Sequence, residues 1–309
     1  MLKISIVTIT KNSERFLRST IQSVIMQKGI NEQYQLEHIF VYAPSEDDTL
    51  NIILEYQNDY PGRIKLIHEK EAIGISHAMN LGIEAATGDI INHLHSDDSY
   101  QHDHVLLTVT NAFETNPEFY WLYSGYRLID HNNVFQKFQL CEIFYYPELF
   151  NRSVVPHPTV FIKKSLFEKY GSFDISYKCA MDYDLWFRIG NDNQPIIIND
   201  YLVNIRNGIY STSNVLSELT GDEAQSLRQK YVSVINKEID AIKDVQNFGF
   251  NKKYFSDVFY RMAQIYNKKQ INDKKRALKC LSLSIRLNPY VMKRYIYYLF
   301  IYFSNNYQW

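Results

Sequence analysis

The chain has 309 residues, of which 46% are hydrophobic and 22% are charged, and its formal net charge is -1. This length can bury a full-sized core, and the composition excludes intrinsic disorder and a globally basic nucleic-acid-binding protein. Three scattered cysteines (Cys141, Cys179 and Cys280) have no C-x-x-C spacing, which argues against a zinc knuckle and a disulfide framework.

The first element in chain order is a predicted strand. Residues 3–10 are rich in β-branched side chains, and a helix is predicted from Asn12 and Ser13 to about Gln27. Residues 1–10 lack the basic start and cleavage site of a signal peptide, and no segment reaches the roughly 18 to 20 apolar residues of a membrane span. We therefore expect a cytoplasmic protein.

Strands and helices alternate over the first 94 residues. Strands are predicted at residues 38–42 and 64–68, and helices at residues 50–56 and 73–86. Gly88 is predicted to stop the second of these helices, and an apolar strand then leads into Asp97 and Asp98. The alternation predicts an α/β fold with a mostly parallel central sheet flanked by helices, and ligands bind at the carboxyl edge of such sheets.

Seven short motifs follow one another along the chain. They are T-I-T-K-N (8–12), G-I-S-H-A-M-N-L-G-I (74–83), A-T-G-D-I-I (86–91), H-S-D-D (95–98), S-G-Y-R-L-I-D (124–130), H-P-T-V-F (157–161) and M-D-Y-D-L-W-F-R (181–188). With these motifs, residues 1–215 resemble a family 2 glycosyltransferase of the Rossmann-like GT-A fold. The resemblance implies inverting, metal-dependent transfer of a sugar from a nucleotide-diphosphate donor to a surface glycan such as capsule or lipopolysaccharide, free or lipid-linked.

Two adjacent carboxylates follow the strand that ends near Leu94. Carboxylate oxygens are the ligands that Mn²⁺ and Mg²⁺ prefer, and such a cation offsets the negative charge of departing phosphates. By resemblance to the family's D-x-D-type motif, Asp98 is a metal ligand, and Asp97 faces the ribose or the water shell of the metal. From the residues alone, the alternative is an S-D-D-S turn that caps the next helix.

His93 and His95 support a different hypothesis. On a strand, residues two apart point to the same face, and the pattern H-x-H-x-D is similar to that of zinc hydrolases. A zinc-dependent hydrolase is therefore an alternative function, although that pattern expects a further histidine where Asp98 stands. The other interpretation is that both histidines are partly buried polar residues near the site.

The donor side departs from the family in one turn. Relatives bind the base and ribose with a D-D-G-S-x-D-x-T turn, whereas Tyr42 and Ala43 replace its two leading acids here. Tyr42 is expected to stack on the base or to donate its hydroxyl. A catalytically inactive nucleotide-sugar-binding relative is a further alternative. The other implied donor contacts are Thr8, Thr10, Asn12, Ser76, Asn80, Asp97 and Arg206, the last neutralising diphosphate charge.

An inverting transfer needs one general base for the acceptor hydroxyl. Asp182 aligns with the aspartate of the family's E-D motif and is the predicted base, although Met181 replaces the usual glutamate. Asp184 is the substitute candidate for the base and, because it lies about 200° away on a helix, is assigned to the acceptor side, as are Gly125 and His157 by resemblance. From the residues alone, the two acids are solvated residues favoured by the helix macrodipole.

Residues 216–309 are predicted to form a helical region that is basic and aromatic. From residue 251 onward there are twelve Lys and Arg but two acidic residues, whereas the preceding residues carry 21 basic and 32 acidic ones. Arg286, Lys293 and Arg294 flank the apolar run at residues 295–303. This pattern predicts either peripheral contact with the anionic inner face of a membrane or a helical cap that packs on the main domain or on a second subunit.

Overall fold

The computed structural model of the chain describes residues 1–207, 217–242, 252–268 and 271–290, together with residues 294 and 301. The chain divides into two compact units. One comprises Met1–Phe144 and Val154–Thr220, and the other comprises Tyr145–Ser153 and Gly221–Trp309. The proposed functional division at residues 215 and 216 stays a prediction.

The first unit is a central sheet with helices packed against it. Its strands are β1 (Leu2–Thr10), β2 (Tyr34–Tyr42), β3 (Ile64–His68), β4 (Ile90–His93), β5 (Ser99–Tyr100), β6 (Trp121–Ile129), β7 (Phe135–Gln139), β8 (Phe161–Lys163) and β9 (Ile196–Arg206). Its helices are α1 (Glu14–Ile25), α2 (Thr49–Asp59), α3 (Ile75–Ala85), α4 (Val105–Thr115), α5 (Lys164–Tyr170) and α6 (Met181–Gly190), with a short 3₁₀ turn at His157–Thr159. This arrangement confirms the predicted α/β class.

The sheet has the strand order β3-β2-β1-β4-β8-β6-β9-β5, and β7 also pairs with β6. The first four strands are parallel, as the alternation of strands and helices predicts. Beyond β4 the sheet is mixed, because β8 is antiparallel to both β4 and β6. Successive apolar residues of β1, such as Ile6 and Val7, are buried on opposite faces, which is typical of a strand covered on both sides.

Gly88 has a different role from the predicted one. Helix α3 ends at Ala85, and Gly88 is not among the glycines with a left-handed backbone. A Cβ atom at this position would lie 2.8 Å from the carbonyl oxygen of Lys3 and 2.9 Å from the backbone nitrogen of Ser5. The glycine is therefore required by close approach to β1, and its N–H donates to Ser5 Oγ at 2.9 Å.

The last strand is longer than the predicted segment at residues 196–198. Strand β9 pairs in parallel with β6 as far as Arg206, which lies opposite Ile129. Its later part also pairs with β5, directly after the acid pair. This long-range pairing brings Arg206 to the turn that contains Asp97 and Asp98.

The second unit is helical, as predicted. Its helices are α7 (Ser217–Tyr231), which begins just before the unit boundary, α8 (Asn236–Ala241), α9 (Lys252–Tyr266) and α10 (Lys274–Leu287), with 3₁₀ turns at Tyr146–Phe150 and Val232–Ile235. Ser256 and Ser284 donate their hydroxyls to each other's carbonyl oxygens at 2.6 Å, so α9 and α10 pack against each other at these two buried serines. Among the described residues, no helix is long and apolar enough to cross a membrane. Most of the aromatic run at residues 295–303 lies outside the described residues.

Candidate active site

The candidate site lies at the carboxyl edge of the parallel strands. Strand β4 pairs with β1 so that His93 lies opposite Val7, and the chain therefore leaves β4 at the same edge as the end of β1. The following turn is closed by a hydrogen bond from the Asp98 N–H to the carbonyl oxygen of His95. Thr20 of α1 donates its hydroxyl to the carbonyl oxygen of Asp98 at 2.7 Å, which fixes the turn against the helix.

The Asp98 side chain is buried and only partly satisfied. It is 2% exposed, its Oδ1 accepts the backbone N–H of Arg206 at 2.8 Å, and its Oδ2 has no hydrogen-bond partner among the described residues. Burial raises the pKa of Asp98 well above its ordinary value, and the charge of Asp97 raises it further. An ionised carboxylate here therefore needs a compensating cation.

Three possible metal ligands converge at this carboxylate. Ligand atoms of His95, Asp97 and Asp98 all lie within 4.8 Å of one another, and His95 Nδ1 is 3.5 Å from Asp98 Oδ2. Burial lowers the pKa of His95, which favours the neutral imidazole that a metal binds. Two carboxylates, one with an unsatisfied buried oxygen, and a neutral imidazole fit a divalent cation such as Mn²⁺.

His93 is not part of this group. Its side chain is buried and its ring centroid lies 5.2 Å from that of Phe173, while burial lowers its pKa to about 3. The ring of His157 lies 5.6 Å from those of both His93 and His95. Within the described part of the chain, the His93 and His95 pair of the hydrolase hypothesis does not form a metal-binding group. His157, in contrast, is placed beside the candidate metal ligands.

Arg206 organises the turn. In addition to its backbone bond to Asp98, its Nε donates to the carbonyl oxygen of Asp97 at 3.0 Å. Its two terminal nitrogens donate to the Asp130 carbonyl oxygen and to Asn133 Oδ1, and the guanidinium lies 3.8 Å from the centroid of the Phe16 ring. This positioning role was not predicted, and contact with a diphosphate stays a prediction.

The residues assigned to the donor side lie on β1, β2 and the turns that follow them. The Thr8 hydroxyl donates to the Leu94 carbonyl oxygen at 2.9 Å, and the Thr10 hydroxyl donates to that of Val41 at 3.4 Å. Asn12 has a left-handed φ of 49° and accepts the N–H of Glu46 at 2.9 Å through its side chain. The Tyr42 hydroxyl accepts the N–H of Ser45 at 3.1 Å. Asn12 and Tyr42 therefore shape the turn after β2, whereas Thr8 and Thr10 bind the backbone next to β4 and of β2, and nucleotide contact stays a prediction for all four.

Helix α3 holds the segment that precedes α6. Ser76 donates its hydroxyl to the Tyr177 carbonyl oxygen at 3.0 Å, and Asn80 exchanges two hydrogen bonds with the backbone of Phe173. His77 Nδ1 lies 2.8 Å from Oε1 of the buried Glu69. Sequence reasoning missed Glu69, although its place directly after β3 puts it at the same carboxyl edge as the other candidates.

The two acids of α6 have different surroundings. Asp182 is half-buried, its Oδ1 accepts the N–H of Tyr183 at 2.7 Å, and burial raises its pKa to about 6. Asp184 is 1% exposed and forms an ion pair with Arg188 Nε at 2.7 Å. The solvated pair that the macrodipole alone would favour is therefore not what the structure shows. The raised pKa of Asp182 suits a residue that exchanges a proton, whereas Asp184 is held in an ion pair with Arg188, and the role of Asp182 as general base stays a prediction.

The family is decided by the sequence itself. A sequence model of glycosyl transferase family 2 matches residues 5–171, which is more than half of the chain. The chain belongs to this family. It is therefore a glycosyltransferase, as the motifs predict, and every candidate residue from Thr8 to His157 lies within the matched region.

Curated relatives are also named as glycosyltransferases. An uncharacterized glycosyltransferase of Rickettsia typhi is 27% identical over 266 residues, which are 82% of this chain and 78% of the relative. The UDP-Glc:alpha-D-GlcNAc-diphosphoundecaprenol beta-1,3-glucosyltransferase WfgD of Escherichia coli is 28% identical over 196 residues, which are 63% of this chain and 73% of WfgD.

Solved glycosyltransferases confirm the GT-A fold. Residues 1–349 of Staphylococcus aureus TarS in complex with UDP-GlcNAc superpose with a TM-score of 0.59 at 15% identity, covering 93% of this chain and 81% of that one. The chain covers 54% of the longer TarS chain. The mannosyltransferase PcManGT of Pyrobaculum calidifontis with GDP-Man and Mn²⁺ gives a TM-score of 0.52 at 14% identity, covering 91% and 73%.

Gly125 has a structural reason to be glycine in this family member. A Cβ atom there would lie 2.8 Å from the carbonyl oxygen of Gln139 and 3.1 Å from that of Asp200. The glycine therefore lets the end of β7 and strand β9 lie close to β6. The predicted acceptor contact of Gly125 stays a prediction.

Proposed function

We propose that this glycosyltransferase is metal-dependent and inverting, and that it moves a sugar from a nucleotide-diphosphate donor to a lipid-linked surface glycan. The observation that carries the proposal is the separation of two carboxylate environments. Asp98 has an unsatisfied buried oxygen beside Asp97 and His95, whereas Asp182 stands apart from that group with a pKa raised to about 6.

His95, Asp97 and Asp98 would hold the cation, which when bound supplies positive charge against the departing diphosphate. The protein prepares this place in two ways. Thr20 and Arg206 fix the backbone of the turn, and the Arg206 N–H occupies Oδ1 of Asp98, so that Oδ2 is the oxygen left to ligate. No hydrogen bond of Asp98 has to be broken for the cation to bind.

Asp182 would take the proton of the acceptor hydroxyl at its carboxylate. A base with a pKa of about 6 is mostly ionised at neutral pH, so it is ready to accept a proton. It is also more basic than an ordinary aspartate, which makes proton transfer from the hydroxyl more favourable. Inversion needs only this one carboxylate beside the reacting centre. His157, close to His95, is a candidate contact for the acceptor or its phosphate.

The substrate class rests on similarity. WfgD is named as acting on a diphosphoundecaprenol-linked sugar, and TarS and PcManGT are complexed with UDP-GlcNAc and GDP-Man. A nucleotide-diphosphate sugar and a polyprenyl-diphosphate-linked acceptor are therefore the first substrates to test. Peripheral membrane contact and a homodimer remain further predictions for the C-terminal region.

The test is a panel of nucleotide-diphosphate sugars with a polyprenyl-diphosphate-linked sugar, each with Mn²⁺, with Mg²⁺ and with EDTA. We expect transfer with one donor, loss of transfer in EDTA, and inversion at the anomeric carbon by NMR of the product. Asp98→Asn should reduce transfer by a factor on the order of 10² or more, whereas Asp103→Asn, which changes a partly exposed carboxylate outside the clustered ligands, should not.

Three outcomes would contradict this proposal. Full transfer in EDTA would exclude the cation, and a retained anomeric configuration would exclude direct displacement. Donor binding without any turnover would instead favour the inactive relative, while zinc binding without donor binding would favour a hydrolase.

A further inference from the structure

The helical C-terminal unit contains a cleft whose lining residues are not among the candidate active-site residues. It has a volume of about 400 Å³ and lies where α7, α9 and the turn after α9 meet. Its lining residues are Gln225, Arg228, Arg261, Gln264, Ile265, Asn267 and Lys268.

The charge of this cleft has one sign. Arg228, Arg261 and Lys268 contribute three cations, and no carboxylate occurs among the lining residues. The pKa of Lys268 is lowered by burial and then by the charges of Arg228 and Arg261, and no acid acts in the opposite direction. Lys268 therefore lies close enough to both arginines to be repelled by them.

Other cations of the same unit are arranged differently. Arg276 forms ion pairs with both Asp240 and Asp273, and Arg294 pairs with Asp257. Arg261, in contrast, donates to the neutral amide oxygen of Gln264 at 3.3 Å. Arg261 and Lys268 thus differ from Arg276 and Arg294, because neither forms an ion pair with a carboxylate of the described residues.

The donors that line the cleft match a particular ligand. Two guanidinium groups and an ammonium offer charge-assisted hydrogen bonds, and guanidinium geometry suits phosphate oxygens. The side-chain amides of Gln225, Gln264 and Asn267 supply further N–H donors. We propose that this cleft binds a phosphate-bearing anion, which offsets the positive charge of its lining residues.

Two sources can present this chemistry. One is a soluble phosphate or diphosphate, and the other is the phosphate headgroup of an anionic lipid, which would attach the unit to a membrane surface. The proposal concerns the cleft and does not depend on the transferase mechanism.

The experiment uses the full chain at low ionic strength, with EDTA present so that no catalytic cation attracts phosphate. Inorganic phosphate and diphosphate are titrated by calorimetry. Sedimentation is measured with mixed phosphatidylglycerol and phosphatidylcholine vesicles and with pure phosphatidylcholine vesicles. Arg261→Gln combined with Lys268→Gln should weaken binding by about tenfold or more, because two charge-assisted contacts are lost.

The charge-matched control is Lys230→Gln combined with Lys275→Gln, which removes two exposed cations of the same unit outside the cleft. We expect it to bind like wild type. If wild type binds soluble phosphate or diphosphate and the cleft variant does not, the source is soluble. If wild type binds only the anionic vesicles and the cleft variant does not, the source is a lipid headgroup.

The thermal stability of the cleft variant distinguishes a binding role of the two cations from a structural role. Because it removes like charges that repel one another, its thermal unfolding midpoint without phosphate should equal or exceed that of wild type. If neither phosphate nor anionic vesicles bind, if the cleft variant binds like wild type, or if the control weakens binding equally, the proposal is wrong.

Discussion

The turn after β4 and the first turn of α6 both hold carboxylates whose pKa is raised by burial, but their surroundings differ. At the turn, Asp98 is buried beside a second acid and keeps one oxygen without a hydrogen-bond partner among the described residues. On α6, Asp182 is half-buried, accepts the backbone N–H of Tyr183, and has a pKa of about 6 without any neighbouring acid that raises it.

The difference separates two chemical tasks. A buried acid beside another acid is stable as an anion only when a cation joins it, so the turn suits metal binding. An isolated half-buried acid can gain and lose a proton near neutral pH by itself, so the start of α6 suits proton transfer. The predictions below test this division of roles.

Asp182→Asn is expected to have the largest effect, which is a loss of sugar transfer. The amide cannot accept the acceptor proton, so kcat should fall by about 10² to 10⁴. The affinity for Mn²⁺ should stay unchanged, because Asp182 is not one of the clustered ligands. In wild type, kcat/KM should fall tenfold per pH unit below about pH 6, where Asp182 becomes protonated.

Asp184→Asn is the matched control on the same helix turn. Asp184 is bound to Arg188, which also donates to the carbonyl oxygens of Tyr170, Gly171 and Ser172. Breaking this buried pair should cost about 3 to 5 kcal/mol of stability. The kcat/KM of folded Asp184→Asn should still fall below about pH 6, as in wild type. If this fall disappears in Asp184→Asn and persists in Asp182→Asn, Asp184 is the general base instead of Asp182.

A smaller effect is expected for the third member of the metal group. His95→Asn should weaken Mn²⁺ binding by at least about tenfold to a hundredfold, which is the size seen for residues that only support a ligand. His93→Asn is the control, and it should lower stability while leaving the Mn²⁺ affinity near wild type, because His93 lies among aromatic rings. Both constants come from direct Mn²⁺ titration of folded protein. Equal losses in the two variants would restore the histidine pair of the hydrolase hypothesis.

Local patterns were sufficient to predict the first half of the fold. The β-branched run before Thr10, the alternation up to β4 and the acid pair after it depend on periodicity and strand ends, which a sequence displays directly. The parallel order of β1, β2, β3 and β4 follows from these elements.

The remaining features depend on contacts between distant residues. His95 joins Asp98 through a turn whose shape also depends on Thr20, and Arg206 is 108 residues from the carboxylate that it holds. The two acids of α6 differ because Arg188 reaches one of them and not the other. Sequence spacing shows none of these pairings, and the motif resemblance supplied only residue roles.

The smallest expected effect is a pH dependence of stability. Between about pH 4 and pH 6 the folded protein holds a proton on Asp182 that the unfolded chain has released. The free energy of unfolding therefore falls as the pH rises through this window, and the contribution lost is at most about 3 kcal/mol.

Asp182→Asn lacks this loss, so its stability relative to wild type should increase from pH 4 to pH 7 in urea unfolding. Asp103→Asn should show the opposite sign at lower pH: a hydrogen bond with Lys28 lowers the pKa of Asp103, so wild type loses this contribution as the pH falls below about 4 and the variant does not. A stability difference between Asp182→Asn and wild type that does not change with pH would mean that Asp182 is not held in the protonated form by burial, and the proposed base would lose its physical support.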